Sequence, residues 1–568
     1  MGNYSGGKLM YYSVVGMLVL LVVWSPIVFG SVARLTPAQA ASTTAAVPGP
    51  PLAQLDIKAP MIPSQRGAST GTLTVAQHFG LSPKWFDPQE QGVGTIGQAF
   101  AALVHDALIK PTGQGYYTYG LAEHLEMPAD YTYAKFRLRE GLTFHDGAPL
   151  TTADVKWTYE HYRGFYAATL QNKLDKSRPD GGIEIVDDLI IIFHFKEPFI
   201  DFLEFYNGIP TGIGWIVPKD YYQKVGPEGF KAHPIGAGPF KFVRQEVGSL
   251  VEVEAWDGYW RRVPGVKRLV VKHVQGFAQR LAALQTGEVD LAYGLTGKIL
   301  KQVMADRNLR WDSNFTNPWH FFFPGYDDPS SPFHDKRVRQ AISLAINRAF
   351  LSQQESEGIG PVWGNWIGPN RLDAIEDLPP PEYDPEKARQ LLSEAGYANG
   401  LKLKGIAPFP PYYEMAERLA TDLKGVGITV PVDVMDQPVF RGKMAQGKSG
   451  WPGGQSIVHE IVVAPGSAAA EIRTVATCAS PASFICEPYI EERWAKHQAS
   501  IDLAERTGLI HEIQRYVIQE YLAVPIYINP FVHAVGPRVL PEDDSFHKYW
   551  AAPQIGFPWP WEEWQVKE

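Results

Sequence analysis

Cysteine is scarce in this chain: two among 568 residues, Cys478 and Cys486. None stands near the N-terminus to carry a lipid, and no CxxC pair offers redox or zinc chemistry. The two that exist are close enough in sequence to close one short loop. Two free buried thiols are the other reading, and export of the chain would favour the bond. Basic blocks are missing as well. The net charge is −9 at pH 7 with a pI near 6.0, which excludes nucleic acid as a partner. Neither HExxH nor GxSxG occurs, and the histidines are scattered. No zinc-protease or serine-hydrolase constellation is spelled out. His459-Glu460 and His511-Glu512 lack a third ligand nearby in sequence, so no metal set is assigned. No solenoid-like period is present. Beyond the N-terminal stretch, no second apolar run is long enough to span a bilayer.

What is present is core-forming material. Hydrophobic residues make up 45% and aromatics 12%, too much for disorder. At roughly 150 residues per domain, the length allows two to four domains. Lys8 is the only charge before the apolar run Leu9–Ala33, and Arg34 ends that run. Ala38-Gln39-Ala40 fits small-residue signal cleavage before Ala41. The run also reaches the about 20 residues that span a membrane. Residues 1–40 therefore read as a cleaved signal peptide or an N-terminal anchor. Residues 41–66, rich in Ala, Pro, Thr and Ser, read as a flexible linker. An extracytoplasmic body follows from either reading.

Two nucleotide motifs occur formally and fail on context. Gly92–Gly97 spells a dinucleotide fingerprint, but a polar loop stands where the incoming strand is needed. Gly442–Ser449 spells a P-loop, but Arg441–Gly447 reads as the end of a helix, and Gly450-Trp451-Pro452-Gly453-Gly454 cannot start another. No cofactor is expected.

The most distinctive stretch is Ala134–Arg163. Phe136, Leu138 and Leu142 stand among charged neighbours as in a half-buried strand. His145-Asp146-Gly147 is turn chemistry. Thr151 or Thr152 can cap a helix with Asp154 near its positive end. Val155, Tyr159 and Tyr162 give that helix an apolar face, and Trp157 lies off it. Further along come Ile235-Gly236-Ala237-Gly238-Pro239-Phe240, the helix–Gly–strand unit RLAALQTGEVDLAYGL, and Pro332–Arg348. A Gly-capped helix then runs from Tyr383-Asp384-Pro385 to Gly396, and Val524-Pro525-Ile526-Tyr527 closes the series. Val338, Ala341, Ile342, Ala345 and Ile346 share one helical face, which leaves the arginines of that segment solvated or ion-paired.

In this order the segments resemble the family 5 solute-binding proteins, the dipeptide-, oligopeptide- and nickel-binding components of bacterial ABC importers. The resemblance covers about Gly71 to Tyr527. Ala237 replaces a usual Thr and Asn347 a usual Asp. It implies an α/β chain of type II periplasmic-binding-protein fold, with two lobes, a cleft and a small inserted domain. Carried onto this chain, lobe I is 67–100 plus 233–313 plus 523–568, the insert is 101–232, and lobe II is 314–522. It also implies a non-catalytic, monomeric protein that captures a peptide or similar small solute for ABC permease subunits. It makes His145 and Asp146 corner-forming rather than catalytic.

Cleft-facing loops should be rich in Gly, aromatics and isolated polar residues. His78–Trp85, Trp319–Phe323 and Trp363–Trp366 satisfy this. So does Trp451–Pro465, where peptide-binding relatives carry an Asp-Pro pattern that is absent here. The candidate ligand residues are His78, Phe79, Trp85, Trp319, His320, Phe321, Trp363, Trp366, Trp451 and Glu460. Core packing is the competing role for each aromatic. A non-peptide ligand (metal chelate, sugar or opine-like solute), a sensor, and a hydrolase on the same scaffold are the alternatives.

Overall fold

The computed structural model describes residues 69–90, 95–111, 117–164, 167–205, 214–369, 371–410, 412–452, 455–460, 467–540 and 560–568. The expectations for residues 1–66 lie outside the described residues. A nine-stranded sheet organises the rest. Its strands are β1 (Thr70–Gln77), β2 (Phe240–Glu246), β3 (Leu250–Ala255), β4 (Val266–His273), β5 (Leu291–Leu295), β6 (Arg310–Phe322), β7 (Ile406–Pro408), β8 (Ser456–Glu460) and β9 (Ala523–Val535). Across the sheet they stand in the order β7-β8-β6-β9-β5-β1-β4-β3-β2. β1 runs parallel to both β4 and β5.

Two strands reach across both halves. β6 and β9 are 13 residues each, about twice an ordinary strand, and pair antiparallel. β9 pairs with β5 near its Val535 end, and β6 pairs with β8 only through Trp319–Phe322. The ladder is irregular in the middle. Phe315 faces Pro530, Pro318 faces Ile528, and His320 faces Pro525. First β6 and then β9 carries one extra residue, so two bulges compensate each other. Pro318, Pro525 and Pro530 have no N–H to donate. The weakest pairing therefore lies between the two halves of the sheet.

Separate cores pack around this frame. Leu73, Val75, Val253, Leu269, Val271 and Tyr293 bury together with Phe86 and Phe100 on one half. Phe321, Phe323, Ile342, Leu419, Ile457, Ile513 and Ile526 bury together on the other. A third core belongs to a four-stranded antiparallel sheet that includes Tyr133–Leu138 and Ile190–His194. There Ala134, Phe136 and Leu138 are buried by alternation, each large side chain contributing about 1.5–3 kcal/mol. Asp201 ties this region to the helix Leu503–Gln519 by accepting from Arg506. Burial raises the Asp201 carboxyl, but the charges of Arg506, His497, Arg473 and Lys173 together outweigh it and hold the group below its ordinary value.

The helix Thr152–His161 is capped by Thr151, whose Oγ1 accepts from Ala153 N while its own N–H donates to Asp154. Val155, Tyr159 and Tyr162 are buried as the spacing predicts. Trp157 is not idle on the outer face: it joins a small second core with Val217, Tyr222 and Phe230. The arginines of the Pro332–Arg348 segment also differ from expectation. Arg337 is ion-paired with Asp335, but Arg339 and Arg348 are buried. Arg339 donates to the carbonyls of Phe333 and Glu520, and Arg348 to those of Ser343 and Pro525. They bind helix to chain rather than face water.

The C-terminal residues pack as a cap on the β1 half. Trp561 and Trp564 are buried, Gln565–Val566 pairs with Val539–Leu540, and Gly265 N donates to Glu562 O. Glu562 and Glu563 pair with Arg261. Replacing Trp564 by Ala should cost about 3–5 kcal/mol in denaturant titration. Glu563→Gln, whose arginine partners are partly exposed, should cost within about 1 kcal/mol.

Candidate functional site

In sheets of this kind, ligands bind beyond the carboxyl ends of the parallel strands. β1 and β5 end side by side here, and His78 is the first residue after β1. Its ring lies 3.7 Å from Phe79 and stacks 5.9 Å from Tyr293 (centroid to centroid). Gly294 sits at φ +64, and a Cβ there would come 3.1 Å from the His78 ring, so the position needs glycine on both counts. Tyr293 in turn stacks on His533 at 4.8 Å and on Phe531 at 5.8 Å. Arg280, from the helix Phe277–Gln285, is fully buried behind them. It donates to the carbonyls of Val274, Gln275 and Gly294 at 2.7–2.8 Å, and its guanidinium stands 4.9 Å from the Phe277 ring.

The opposite wall comes from the β7–β8 half. His459 of β8 stacks on Phe440 at 5.4 Å and meets Phe409 edge-on at 4.8 Å. Arg441 lies 4.9 Å from the Phe409 ring, and Trp451 packs edge-on against Phe440. Tyr412 joins the two walls. Its ring is 5.0 Å from Trp319 and 6.1 Å from Phe409 on its own side. It is also 6.4 Å from His78 and 6.0 Å from Phe277 on the other.

The electrostatics follow from burial. Both ring nitrogens of His78 and of His459 are buried without a hydrogen-bond partner among the described residues. Burial pushes the His78 ring well below its ordinary pKa, and the charges of Arg280, His273 and Arg441 push it further. Burial does the same to His459, with Arg441 and His320 adding to it. Both imidazoles are neutral at pH 7. Burial brings Arg280 down to about 10, so it stays charged. The walls therefore offer apolar ring surface, neutral imidazoles and fixed positive charge.

The ten residues singled out in the sequence are distributed unevenly. His78, Phe79 and Trp319 belong to this aromatic meeting point. Trp319, His320 and Phe321 are not on a loop: they lie on β6, and all three are buried. His320 is fixed by Trp366 O at 2.5 Å and His459 O at 3.3 Å, and Phe321 packs on Phe323 in the core. Trp366 and Trp451 are buried core residues, and Trp363 donates to Ile367 O. Trp85 stacks on Phe100 at 5.0 Å. The Glu460 side chain lies outside the described residues. Tyr412, Tyr293, Phe277, Arg280 and Arg441, which the sequence reading does not single out, join the same two aromatic walls. The position of Tyr293 on a strand parallel to β1 and the aromatic run Pro408–Tyr413 were the available signals.

The tempting motifs resolve into architecture. Gly236 N donates to His145 Nδ1 at 3.3 Å, which leaves Nε2–H to donate to Gly238 O at 3.0 Å. Burial holds His145 down to about 3, so it is a neutral staple with both nitrogens used. Gly236 and Gly238 pass so close to Val104–His105 that a Cβ on either would come within 2.6 Å of its backbone. The formal P-loop runs through the helix Gln437–Met444 into a turn at Gly447–Gly450, with no strand leading in. Cys478 and Cys486 are joined in a disulfide. Among the described residues, one group has metal-ligand spacing: Asp180, Glu184 and His194. Arg178 bonds both carboxylates at 2.9 Å, so this is an ion-paired surface cluster.

A two-lobed α/β frame, joined by a long strand pair with aromatic walls meeting at the joint, defines a type II periplasmic binding fold. A solved structure of an ABC transporter-associated periplasmic binding protein from Helicobacter pylori in complex with the peptide STSA shares it. The TM-score is 0.73 at 20% identity, covering 88% of this chain and 99% of the other. Residues 117–454 match the family described as bacterial extracellular solute-binding proteins, family 5, and the chain belongs to that family. A glutathione-binding protein of Pectobacterium atrosepticum is 28% identical over 379 residues, 62% of this chain and 71% of the relative. A dipeptide-binding protein of Escherichia coli is 26% identical over 387 residues, 62% of this chain and 70% of the relative.

Burial also sets a pH limit. His78, His105, His145, His320, His459, His497 and His533 all have folded-state pKa values below the unfolded 6.5, at about 4 or about 3 where a value is resolved. The unfolded chain therefore binds more protons below pH 6.5. Their contribution is complete above that pH and is lost as pH falls toward the folded values. Each histidine costs up to about 1.4 kcal/mol per pH unit in that window. Urea midpoints should drop steeply from pH 6.5 to 4; a flat profile over that range would contradict the buried neutral imidazoles.

Proposed function

We propose that this protein is the non-catalytic substrate-binding component of an ABC importer, capturing a peptide or similar small solute by closure of two lobes. In this reading lobe I is 67–100, 233–313 and 523–568, the inserted domain is 101–232, and lobe II is 314–522. Three separate cores support three bodies, although Ala101–Val104 bury with the lobe I core and Ala523, Val524, Ile526 and Tyr527 with the lobe II core. The strand pair β6–β9, with its compensating bulges, serves as the hinge. The observation that carries the reading is Tyr412. One aromatic side chain contacts His78 and Phe277 of lobe I together with Trp319 and Phe409 of lobe II. A solute held at this point touches both lobes, so its binding energy favours the closed form.

Capture happens outside the cytoplasm. The apolar N-terminal run with its Ala38-x-Ala40 site supports export, and the Cys478–Cys486 bond suits an oxidising compartment. The closed body then docks on the permease subunits as a monomer. Peptides fit the relatives that bind dipeptides and glutathione.

Native mass spectrometry of the purified protein should show one bound small molecule, released intact as a peptide. A metal chelate or a sugar in its place would remove the peptide assignment. Tyr412→Ala should weaken capture about tenfold to a hundredfold in calorimetry and leave the melting temperature within a few degrees, since Tyr412 is only partly buried.

A further inference from the structure

The lobe I wall carries charge of one sign. Arg280 is fully buried, and the groups acting on its charge are Tyr412 and Tyr293, with no carboxylate among the described residues. Three of its N–H groups are spent on carbonyls, and Nε has no hydrogen-bond partner among the described residues. Arg348, the comparable buried arginine of lobe II, bonds through Nε and both terminal nitrogens. His78 stands in the same corner with neither ring nitrogen bonded among the described residues. The charges acting on it are those of Arg280, His273 and, from lobe II, Arg441, all basic, and the phenols of Tyr293 and Tyr412 also face its ring.

A buried cation without a counter-charge is costly, and a second positive group brought beside it adds repulsion in a weakly screened site. An anion there gains on both counts. His78 can donate a charge-assisted hydrogen bond to it, strengthened by the field of Arg280. The aromatic rings of Tyr412, Trp319 and Phe277 can cover an apolar portion of the same molecule.

We propose that His78 and Arg280 form an anion subsite, so that the captured solute presents a carboxylate to lobe I and no ammonium group near it. The proposal rests on the reading of this cleft as the solute-binding site. It assigns His78 as the residue that discriminates by charge and Arg280 as the residue that supplies the field.

Three probes separate the possibilities in titration calorimetry of ligand-stripped protein: Ala-Phe, N-acetyl-Ala-Phe and Ala-Phe amide. The acetylated acid should bind at least as tightly as the free dipeptide, and the amide roughly tenfold or more weakly. His78→Leu should remove the difference between acid and amide while the melting temperature holds. The ranking of the probes is read on the wild-type chain and does not depend on the variant. An amide that binds as well as the acetylated acid overturns the anion subsite and leaves solute capture standing. If none of the three binds, the solute retained through purification decides by its charge: an anion supports the subsite, and a cation or neutral molecule overturns it. Absence of both probe binding and any retained solute overturns the capture reading, and the subsite with it.

Discussion

The antiparallel pairing of β6 with β9 is the constraint on which everything else depends. Each strand contributes to both halves of the sheet, so each half is completed by residues that also belong to the other. The pair is long enough to join two cores and irregular at the point where they meet. Prolines and compensating bulges reduce the ladder there without shifting the register at either end. Relative motion of the halves can concentrate at this point, since the cores on either side are close-packed and resist deformation.

The aromatic meeting point lies over this joint because of topology. β1 and β5 bring His78 and Gly294 together on one side, and β8 and the segment after β7 bring His459, Phe409 and Tyr412 on the other. The chemistry that results is unusual for a buried site. Uncharged imidazoles and phenols line it, and arginine supplies the charge. Desolvation keeps the imidazoles neutral, so hydrogen-bonding capacity is retained without the hydration that an exposed charged ring would hold.

Much of the frame was legible in the sequence. The alternation around Phe136, the capping box at Thr151 and the glycines of Gly236–Gly238 are local signals, and local physics determined them. The site was less legible. Trp319–Phe323 reads as an aromatic loop because prolines and polar residues precede it, but the segment is one of the longest strands, stabilised by pairing with residues some 200 positions away. Arg339 and Arg348 read as surface charges because helical periodicity does not reveal which carbonyls tertiary packing brings near. Tyr412 could not be distinguished from other aromatics, since its significance comes from four rings on four separate segments.

The position of β9 has a consequence for how the molecule is made. It is synthesised after the eight other strands of the sheet, yet it stands fourth in spatial order, between β6 and β5. Until it arrives, β5 and β6 each present an unpaired edge, and no strand pairs with both. Closing this gap joins residues separated by hundreds of positions, which slows folding. The sheet therefore cannot close while this fourth-placed strand is still being made.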